Sequence, residues 1–164
     1  MEGGLHRKLV EQSSDIATII DTDGRITYVS PSVTRTLGYE PEELVGEVGY
    51  GYQHPDDREA VADAIETIQG EPAVTQIIET RFRRADGSWC WIEATLQNRF
   101  HDPDISGILV NSRDISQRKR QEQQFQELAE EYKTLLESVE DSIFFLSVES
   151  EDTEYVFRFE RLNQ

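Results

Sequence analysis

Three consecutive strand-like segments fill residues 74–115, and they constrain the fold of this chain more than any other feature. Turn-forming sequences at residues 85–88 and 101–104 separate the three segments, which are rich in β-branched and aromatic residues. Strands that are joined by such short turns pair as antiparallel neighbours. The sequence therefore predicts an antiparallel meander over this part of the chain.

Two shorter segments of the same kind precede the meander, at residues 16–20 and 26–29. The sequence Asp23-Gly24 between them is typical of a β-hairpin turn. Residues 30–70 carry helical signals instead, the clearest of which is an apolar stripe at helical spacing. The order of two strands, several helices and three strands predicts an α+β fold with one antiparallel sheet and short helices on one face.

Two sequences in the helical region predict helix starts. Ser30 stands before Pro31, a pattern that predicts an N-cap followed by Pro at the first helical position. His54 stands before Pro55 in the same way. We therefore interpret His54 as a capping residue and not as a metal or haem ligand.

Alternation along the second meander strand separates two sets of side chains. Cys90 and Ile92 share one face, and Trp89 and Trp91 share the other. We interpret Cys90 as a small buried side chain. The two tryptophans are expected to pack against the N-terminal helix or against a second subunit.

The two ends of the chain predict helices of different kinds. Residues 1–12 predict a short amphipathic helix with Leu5 and Leu9 on one side. Residues 116–140 contain no Gly or Pro and carry an apolar seam at alternating spacings of three and four: Phe125, Leu128, Tyr132, Leu135 and Val139. We expect this seam to pair in parallel with a second copy; the alternative is a helix that rests on its own domain.

An internal repeat relates the start of the chain to its end. Residues 9–17 align with residues 135–143 at three identical positions, a Leu, a Glu and an Asp, and an apolar run follows each copy. We therefore expect residues 141–164 to be the first strands of a second domain of the same kind, whose remainder lies outside this sequence.

Six stretches of the chain resemble the PAS family of sensory domains in their order and spacing. They are residues 23–32, 37–39, 43–46, 54–58, 84–88 and 113–119. The resemblance covers Leu9 to about Arg120. It implies a five-stranded antiparallel sheet with short helices that form a pocket on one face, flanked by N-terminal and C-terminal helices.

The expected organisation has four parts. An N-terminal helix occupies residues 1–12, a PAS sensor domain residues 13–115, and a helical linker residues 116–140, followed by a truncated second PAS domain at residues 141–164. Members of the family usually feed histidine kinases, chemotaxis-type transducers, cyclic-dinucleotide enzymes or transcription regulators. We expect a cytoplasmic sensory input module of the histidine-kinase or transducer type, with its output domain on the same polypeptide.

The family resemblance implies a ligand pocket between the sheet and the helices. The expected lining is Ile20, Val33, Leu37, Ile65, Ile78, Cys90, Ile92, Leu96 and Leu109. Tyr50 and Tyr52 lie in a Gly-flanked loop and are expected to gate this pocket. Asp114 and its neighbour Arg113, at the end of the last strand, are expected to relay a signal to the outgoing helix. The alternative is a ligand-free dimerisation and relay module whose interior is filled by its own side chains.

The sequence specifies no cofactor for this pocket. A noncovalent flavin or another small organic ligand is compatible with it, whereas haem and metal ions lack candidate ligands. The light-sensing branch of the family carries a flavin-reactive Cys on a short helix in an Asn-Cys-Arg-Phe context. Cys90 lies on a predicted strand between two tryptophans and does not match that context.

The charge of the chain restricts its partners. The formal net charge of −17 opposes binding to nucleic acid and to anionic membrane surfaces, and no apolar run is long enough to cross a bilayer. Lysine occurs only at Lys8, Lys119 and Lys133, and the other thirteen basic residues are arginines. We interpret this composition as an adaptation to high salt, where screening reduces self-repulsion; an ordinary acidic cytoplasmic protein is the alternative.

No sequence pattern indicates catalysis. The chain has no nucleophile elbow, no P-loop and no dinucleotide-binding fingerprint. We therefore expect this chain not to be an enzyme.

Overall fold

A computed structural model describes residues 14–71, 74–138, 144–151 and 154–161 of the chain, with side chains up to residue 135. The predicted N-terminal helix with Leu5 and Leu9 lies outside the described residues, and so does Val139 of the predicted seam.

Five strands form the main sheet, and two more follow the last helix. Their bounds are β1 (Ile16–Ile20), β2 (Ile26–Val29), β3 (Thr75–Arg83), β4 (Trp89–Asn98), β5 (Ile108–Asp114), β6 (Phe144–Glu151) and β7 (Glu154–Arg161). The described α-helices are α1 (Ser32–Leu37), α2 (Pro41–Leu44), α3 (Arg58–Gly70) and α4 (Ser116–Ser138). Two single 3₁₀ turns, Gly49–Tyr52 and Pro55–Asp57, connect α2 to α3.

The main sheet has the strand order β2-β1-β5-β4-β3, and each neighbouring pair is antiparallel. Strands β3, β4 and β5 form the predicted meander. Strand β1 pairs with β2 through the hairpin turn and with β5 on its other edge, so the two halves of the domain meet in the middle of the sheet. The predicted α+β fold is confirmed.

The core lies between one face of this sheet and helices α1, α2 and α3. Alternate residues of β4 are buried on this inner face, and the apolar stripe of α3 packs against β3 and β4. The buried cluster consists of Ile16, Ile26, Val29, Val33, Leu37, Leu44, Ile68, Cys90, Ile92, Ala94, Leu96 and Ile108. This arrangement leaves Trp89 and Trp91 on the outer face, as the alternation predicts.

Strand β5 starts three residues later than its sequence suggests. Ser106 takes a left-handed conformation with a φ of 49°, and its N–H donates to the carbonyl oxygen of Asp102. The apolar Ile105 therefore belongs to the turn. Pairing begins only after Gly107, at Ile108.

One predicted cap is confirmed and the other is wrong. The Nδ1 atom of His54 accepts the N–H of Asp56 at 3.3 Å, as a capping residue should. Ser30 does not cap α1, because its hydroxyl oxygen accepts the N–H of Ala17 at 2.9 Å and hydrogen-bonds the Ser32 hydroxyl at 2.6 Å. Ser30 thus joins α1 to β1.

The turn that follows His54 is fixed to the edge strand β3 by a carboxylate. Asp57 accepts the backbone N–H of Arg81 at 2.7 Å and two hydrogen bonds from its guanidinium, at 2.6 and 3.0 Å. The side-chain hydrogen bond from Arg81, with that residue's positive charge, holds the pKa of Asp57 below its ordinary value. Asp56 approaches the same guanidinium only at 3.5 Å and is exposed.

From Arg120 onward the chain forms a second compact unit. It contains most of α4 and an antiparallel hairpin of β6 and β7. The hairpin agrees with the strands that the repeat predicts, whereas its membership in a second PAS domain stays a prediction. Among the described residues, no helix combines the length and apolar composition needed to cross a bilayer.

We predict that Asp57→Asn destabilises the domain far more than Asp56→Asn. Loss of a charge-assisted, partly buried pair should cost about 2 kcal/mol of unfolding free energy, against less than about 0.5 kcal/mol for the exposed neighbour. Chemical denaturation of the two variants at neutral pH measures both values. Because the folded-state pKa of Asp57 is depressed, its contribution is present above the ordinary carboxyl pKa and disappears as the pH falls through the folded-state value. Equal losses of unfolding free energy in the two variants at neutral pH would contradict the conclusion that Asp57, and not Asp56, fixes the turn to β3.

We also predict that Gly107→Ala lowers the unfolding free energy by about 1–3 kcal/mol. An added Cβ would lie 2.5 Å from the carbonyl oxygen of Ile20, which is backbone and cannot move aside cheaply. Gly70→Ala is the matched control, because no atom lies near its Cβ position and Ala suits the end of α3. Thermal or urea unfolding checks both variants. An unchanged stability in Gly107→Ala would show that β1 and β5 do not approach each other this closely.

Candidate functional site

The main sheet and its helices enclose an apolar cavity of about 130 Å³. Its floor is the inner face of the sheet, and its walls come from α1, α2 and α3. Most of the side chains that reach it are aliphatic. This cavity is the candidate functional site.

Eight of the residues predicted from the sequence line the cavity. They are Ile20, Val33, Leu37, Tyr50, Ile65, Ile78, Ile92 and Leu96. Strand alternation and helical spacing identified most of them correctly, because one inner face supplies the floor.

Three predicted residues do not line the cavity. Leu109 lies on the outer face, because β5 turns its neighbours Ile108 and Val110 inward. Cys90 is buried, but it lies at the end of β4 beside Ser116 and Arg84. Tyr52 packs beside the cavity, where its ring stacks on Phe82 at 5.5 Å and meets Tyr39 edge to face.

Tyr50 is the one predicted gate residue that reaches the cavity, and it does so from a 3₁₀ turn and not from a loop. Its ring is 44% exposed, so it lies at the boundary between cavity and solvent. The guanidinium of Arg58 lies over this ring at 5.2 Å, a cation–π contact that holds it in place.

A polar pair in the cavity wall was not predicted. Thr80 is only 3% exposed, and its hydroxyl donates to the Oε1 atom of Gln53 at 2.7 Å. Alternation along β3 could have identified Thr80, because it stands between the inward-facing Ile78 and Phe82. Gln53 precedes the turn at His54 and carries no sequence signal of its own.

The cavity does not fit a flavin or a haem. Its volume is well below the roughly 300 Å³ at which pockets for drug-sized ligands begin. Among the described residues that line it, none is His, Cys or charged. Burial raises the pKa of Cys90 to about 11, so its thiol stays protonated and unreactive.

Arg84 connects the cavity wall to the start of α4. Its Nε atom donates to the carbonyl oxygen of Thr36, next to the cavity residue Leu37, at 3.1 Å. Its Nη2 atom donates to the Asp114 carboxylate at 2.9 Å. In the sequence Arg84 stands out only as the first residue of the stretch 84–88 that resembles the family, so this connection was missed.

Asp114 is the predicted relay residue, and it binds the helix directly. Its Oδ1 atom accepts the N–H of Ser116, the first residue of α4, at 2.8 Å. Burial raises the pKa of Asp114, but the hydrogen bonds from Ser116 and Cys90 and the charge of Arg84 outweigh burial and hold the pKa below its ordinary value. The carboxylate is therefore charged at neutral pH.

Arg113, the other predicted relay residue, points away from this cluster. It lies on the outer face and pairs with Asp15 through two hydrogen bonds of 3.1 and 3.0 Å. The structure therefore separates the two neighbouring residues that the sequence grouped together.

The first turn of α4 is held against the outer face of the sheet by its own charges. Arg118 hydrogen-bonds both Glu79 and Glu93, at 2.5 and 3.3 Å, and Lys119 pairs with Glu79 at 2.5 Å. Lys119 also lies over the ring of Trp91 at 5.2 Å. These contacts and the Asp114 carboxylate position the start of the outgoing helix.

The described part of the predicted seam is solvent-exposed. Its side chains are exposed by 74% at Phe125, 54% at Leu128, 63% at Tyr132 and 56% at Leu135. All four lie on α4 at spacings of three and four. Large apolar side chains in such a row are unusual on the surface of a single chain.

Comparison with known families gives one match. The model of the PAS fold family matches residues 26–106. The matched segment runs from β2 to the turn before β5, and β1 and β5 complete the sheet around it.

Curated relatives match over about half of this chain. White collar 2 protein of Neurospora crassa is 34% identical over 86 residues, which are 52% of this chain and 16% of that protein. Blue light receptor lreA of Aspergillus flavus is 32% identical over 90 residues, 55% of this chain and 10% of that receptor. The chain therefore corresponds to a small part of each of these longer proteins.

Solved structures agree with the fold. The PAS domain of an HTR-like protein from Haloarcula marismortui is 28% identical, with a TM-score of 0.59 over 70% of this chain and 92% of that domain. A PAS domain from Colwellia psychrerythraea, at 21% identity, has a TM-score of 0.62 over 71% of this chain and 99% of that one. With the family match, the cavity and the strand order, these structures show that the chain belongs to the PAS fold family.

Proposed function

We propose that this chain is the sensory input module of a signal-transduction protein, in which a small ligand in the cavity alters the start of α4. One relative is named a blue light receptor, and a sensing role is consistent with that name. The observation that carries the proposal is the chain of contacts from the cavity residue Leu37 through Thr36 and Arg84 to Asp114.

The proposed mechanism needs only a small displacement. A ligand that moves the end of α1 would move the Thr36 carbonyl and change the position of Arg84. Arg84 also holds the carboxylate that binds the first N–H of α4. The Thr36 carbonyl and the Asp114 carboxylate would then shift together. Occupancy of the cavity would thus change how often the first turn of α4 keeps its contacts with the sheet.

The wider proposal covers the rest of the polypeptide. The output domain, of the histidine-kinase or transducer type, lies on the same longer polypeptide. It supplies any catalysis, and the 164 residues of this chain supply none. The buried free thiol of Cys90 suits the reducing cytoplasm. The net charge of −17 argues against nucleic acid as a partner.

A second candidate function, ligand-free dimerisation and relay, is favoured by the exposed seam on α4. A second copy of this helix would cover the four apolar side chains in a parallel pair. The two candidate functions are compatible, because a ligand signal can act by changing how two such helices pair.

We predict that Arg84→Gln increases amide hydrogen exchange both at the end of α1 and at Ser116. An increase of about tenfold at Ser116 is expected, because the carboxylate that binds its N–H loses a charged partner. Arg99→Gln is the control, since Arg99 bonds Gln97 at the far end of β4. Hydrogen exchange followed by NMR resolves the individual amides. A change at only the end of α1, or at only Ser116, would disprove the linkage between them. It would not count against ligand binding in the cavity.

We also predict that the double variant Leu128→Glu with Leu135→Glu is monomeric. Two charges in the seam should raise the dimer dissociation constant at least about 100-fold. Sedimentation equilibrium in high salt, which screens the net charge, measures this change.

The control for the seam variant adds the same two charges on the opposite side of the helix, as Gln126→Glu with Thr134→Glu. This control should keep the oligomeric state of the native chain. A native chain that is already monomeric, or equal behaviour of the two double variants, would rule out pairing through the seam.

A further inference from the structure

We propose that the cavity takes a small, uncharged and largely apolar molecule whose single polar group is bound by Gln53 and Thr80. This inference rests on the proposed function, because it names the ligand class of the same cavity. Three features of the cavity support this proposal: its volume, the absence of charged residues from its lining, and the position of the Thr80–Gln53 pair, of which Thr80 is buried.

The volume sets the size of the ligand. A cavity of about 130 Å³ is close to the roughly 150 Å³ of an engineered protein cavity that binds benzene. A single ring or a short branched chain, of roughly six to ten heavy atoms, fills such a space. Nucleotides, tetrapyrroles and flavins are several times larger.

The lining sets the charge of the ligand. No Asp, Glu, Lys, Arg or His is among the described residues that line the cavity. A carboxylate or an ammonium group that entered would lose its hydration without gaining a partner, which is strongly unfavourable. The cavity therefore excludes charged metabolites by desolvation.

The polar pair sets the one directional contact. The Thr80 hydroxyl donates to Gln53, and its oxygen can accept a further hydrogen bond. The amide nitrogen of Gln53 donates no hydrogen bond within the part of the chain that the structure describes. A ligand hydroxyl, carbonyl or amide placed here would gain a donor, an acceptor or both.

The two other aliphatic hydroxyls that line the cavity are less suited to this role. Thr18 and Ser112 lie on β1 and β5 and are only partly buried, so water can already reach them. Thr80 is almost fully buried, and the backbone N–H of Gln53 donates to the carbonyl oxygen of Tyr50 at 3.3 Å. A polar group on the ligand therefore replaces lost hydration best beside the buried Thr80 hydroxyl.

The test uses the native chain with three single-ring compounds that all fall within the roughly six to ten heavy atoms the cavity can hold: benzene, phenol and benzoate. At neutral pH phenol is uncharged, and benzoate carries one negative charge. Methyl NMR titration of the Ile and Leu signals measures affinity and location. We expect benzene and phenol to shift the signals of Ile78, Ile92 and Leu96, and benzoate to leave them unchanged.

Two isosteric variants identify the polar contact. Thr80→Val should weaken phenol binding by about three- to tenfold and change benzene binding by less than about twofold. Thr18→Val, the matched control on the other side of the cavity, should change neither. Thr80→Ser keeps the hydroxyl and should keep the affinity for phenol, so this variant separates loss of the contact from loss of the fold.

The outcomes distinguish the inference from the function on which it rests. Benzoate binding in the cavity would overturn the exclusion of charge. Equal effects of Thr80→Val on benzene and phenol, or a loss of phenol binding in Thr18→Val, would overturn the polar contact while the cavity remains a binding site. Failure of all three compounds to enter the cavity would overturn the ligand-sensing function itself.

Discussion

The pairing of β1 with β5 is the constraint on which the domain depends. It joins residues about ninety positions apart, and Ile16 faces Ser112 at one end while Ile20 faces Ile108 at the other. Such long-range pairing is entropically costly to form, but it brings the N-terminal hairpin beside the meander and creates one continuous inner face. The helices between β2 and β3 must then fold back over that face, which is how the cavity arises.

The same sheet determines the route that the proposed coupling between cavity and helix would take. The cavity floor and the first turn of α4, residues 116–119, lie on opposite faces of the sheet, and none of these four residues lines the cavity. The described connection runs around the end of the sheet instead, where Arg84 meets the Thr36 carbonyl and the Asp114 carboxylate. A few polar contacts therefore carry the proposed coupling, whereas the apolar core provides a rigid support.

Local patterns predicted the fold well, because strands, turns and amphipathic helices each have their own periodicity. They also predicted most of the apolar lining, since alternation determines which side chains of a strand point inward. They failed where a residue's role depends on distant partners. Ser30 looks like an N-cap, yet Ala17 and Ser32 engage its hydroxyl. Gln53 contacts Thr80, 27 positions away, and Arg84 contacts Asp114, 30 positions away. No single segment of the sequence reveals such contacts. Salt adaptation of the chain stays a prediction.

The acidic pair on the outer face has a consequence for the helix that covers it. Glu79 and Glu93 face each other across β3 and β4, where like charges repel. Arg118 binds both carboxylates and Lys119 binds one, so the docked helix neutralises a repulsion that is built into the sheet. If the first turn of α4 released these contacts, that repulsion would return, and its free-energy cost would be larger where the surrounding ions screen it less. The contacts between the first turn of α4 and the sheet should therefore depend on ionic strength, which would give the proposed sensory module a second variable besides its ligand.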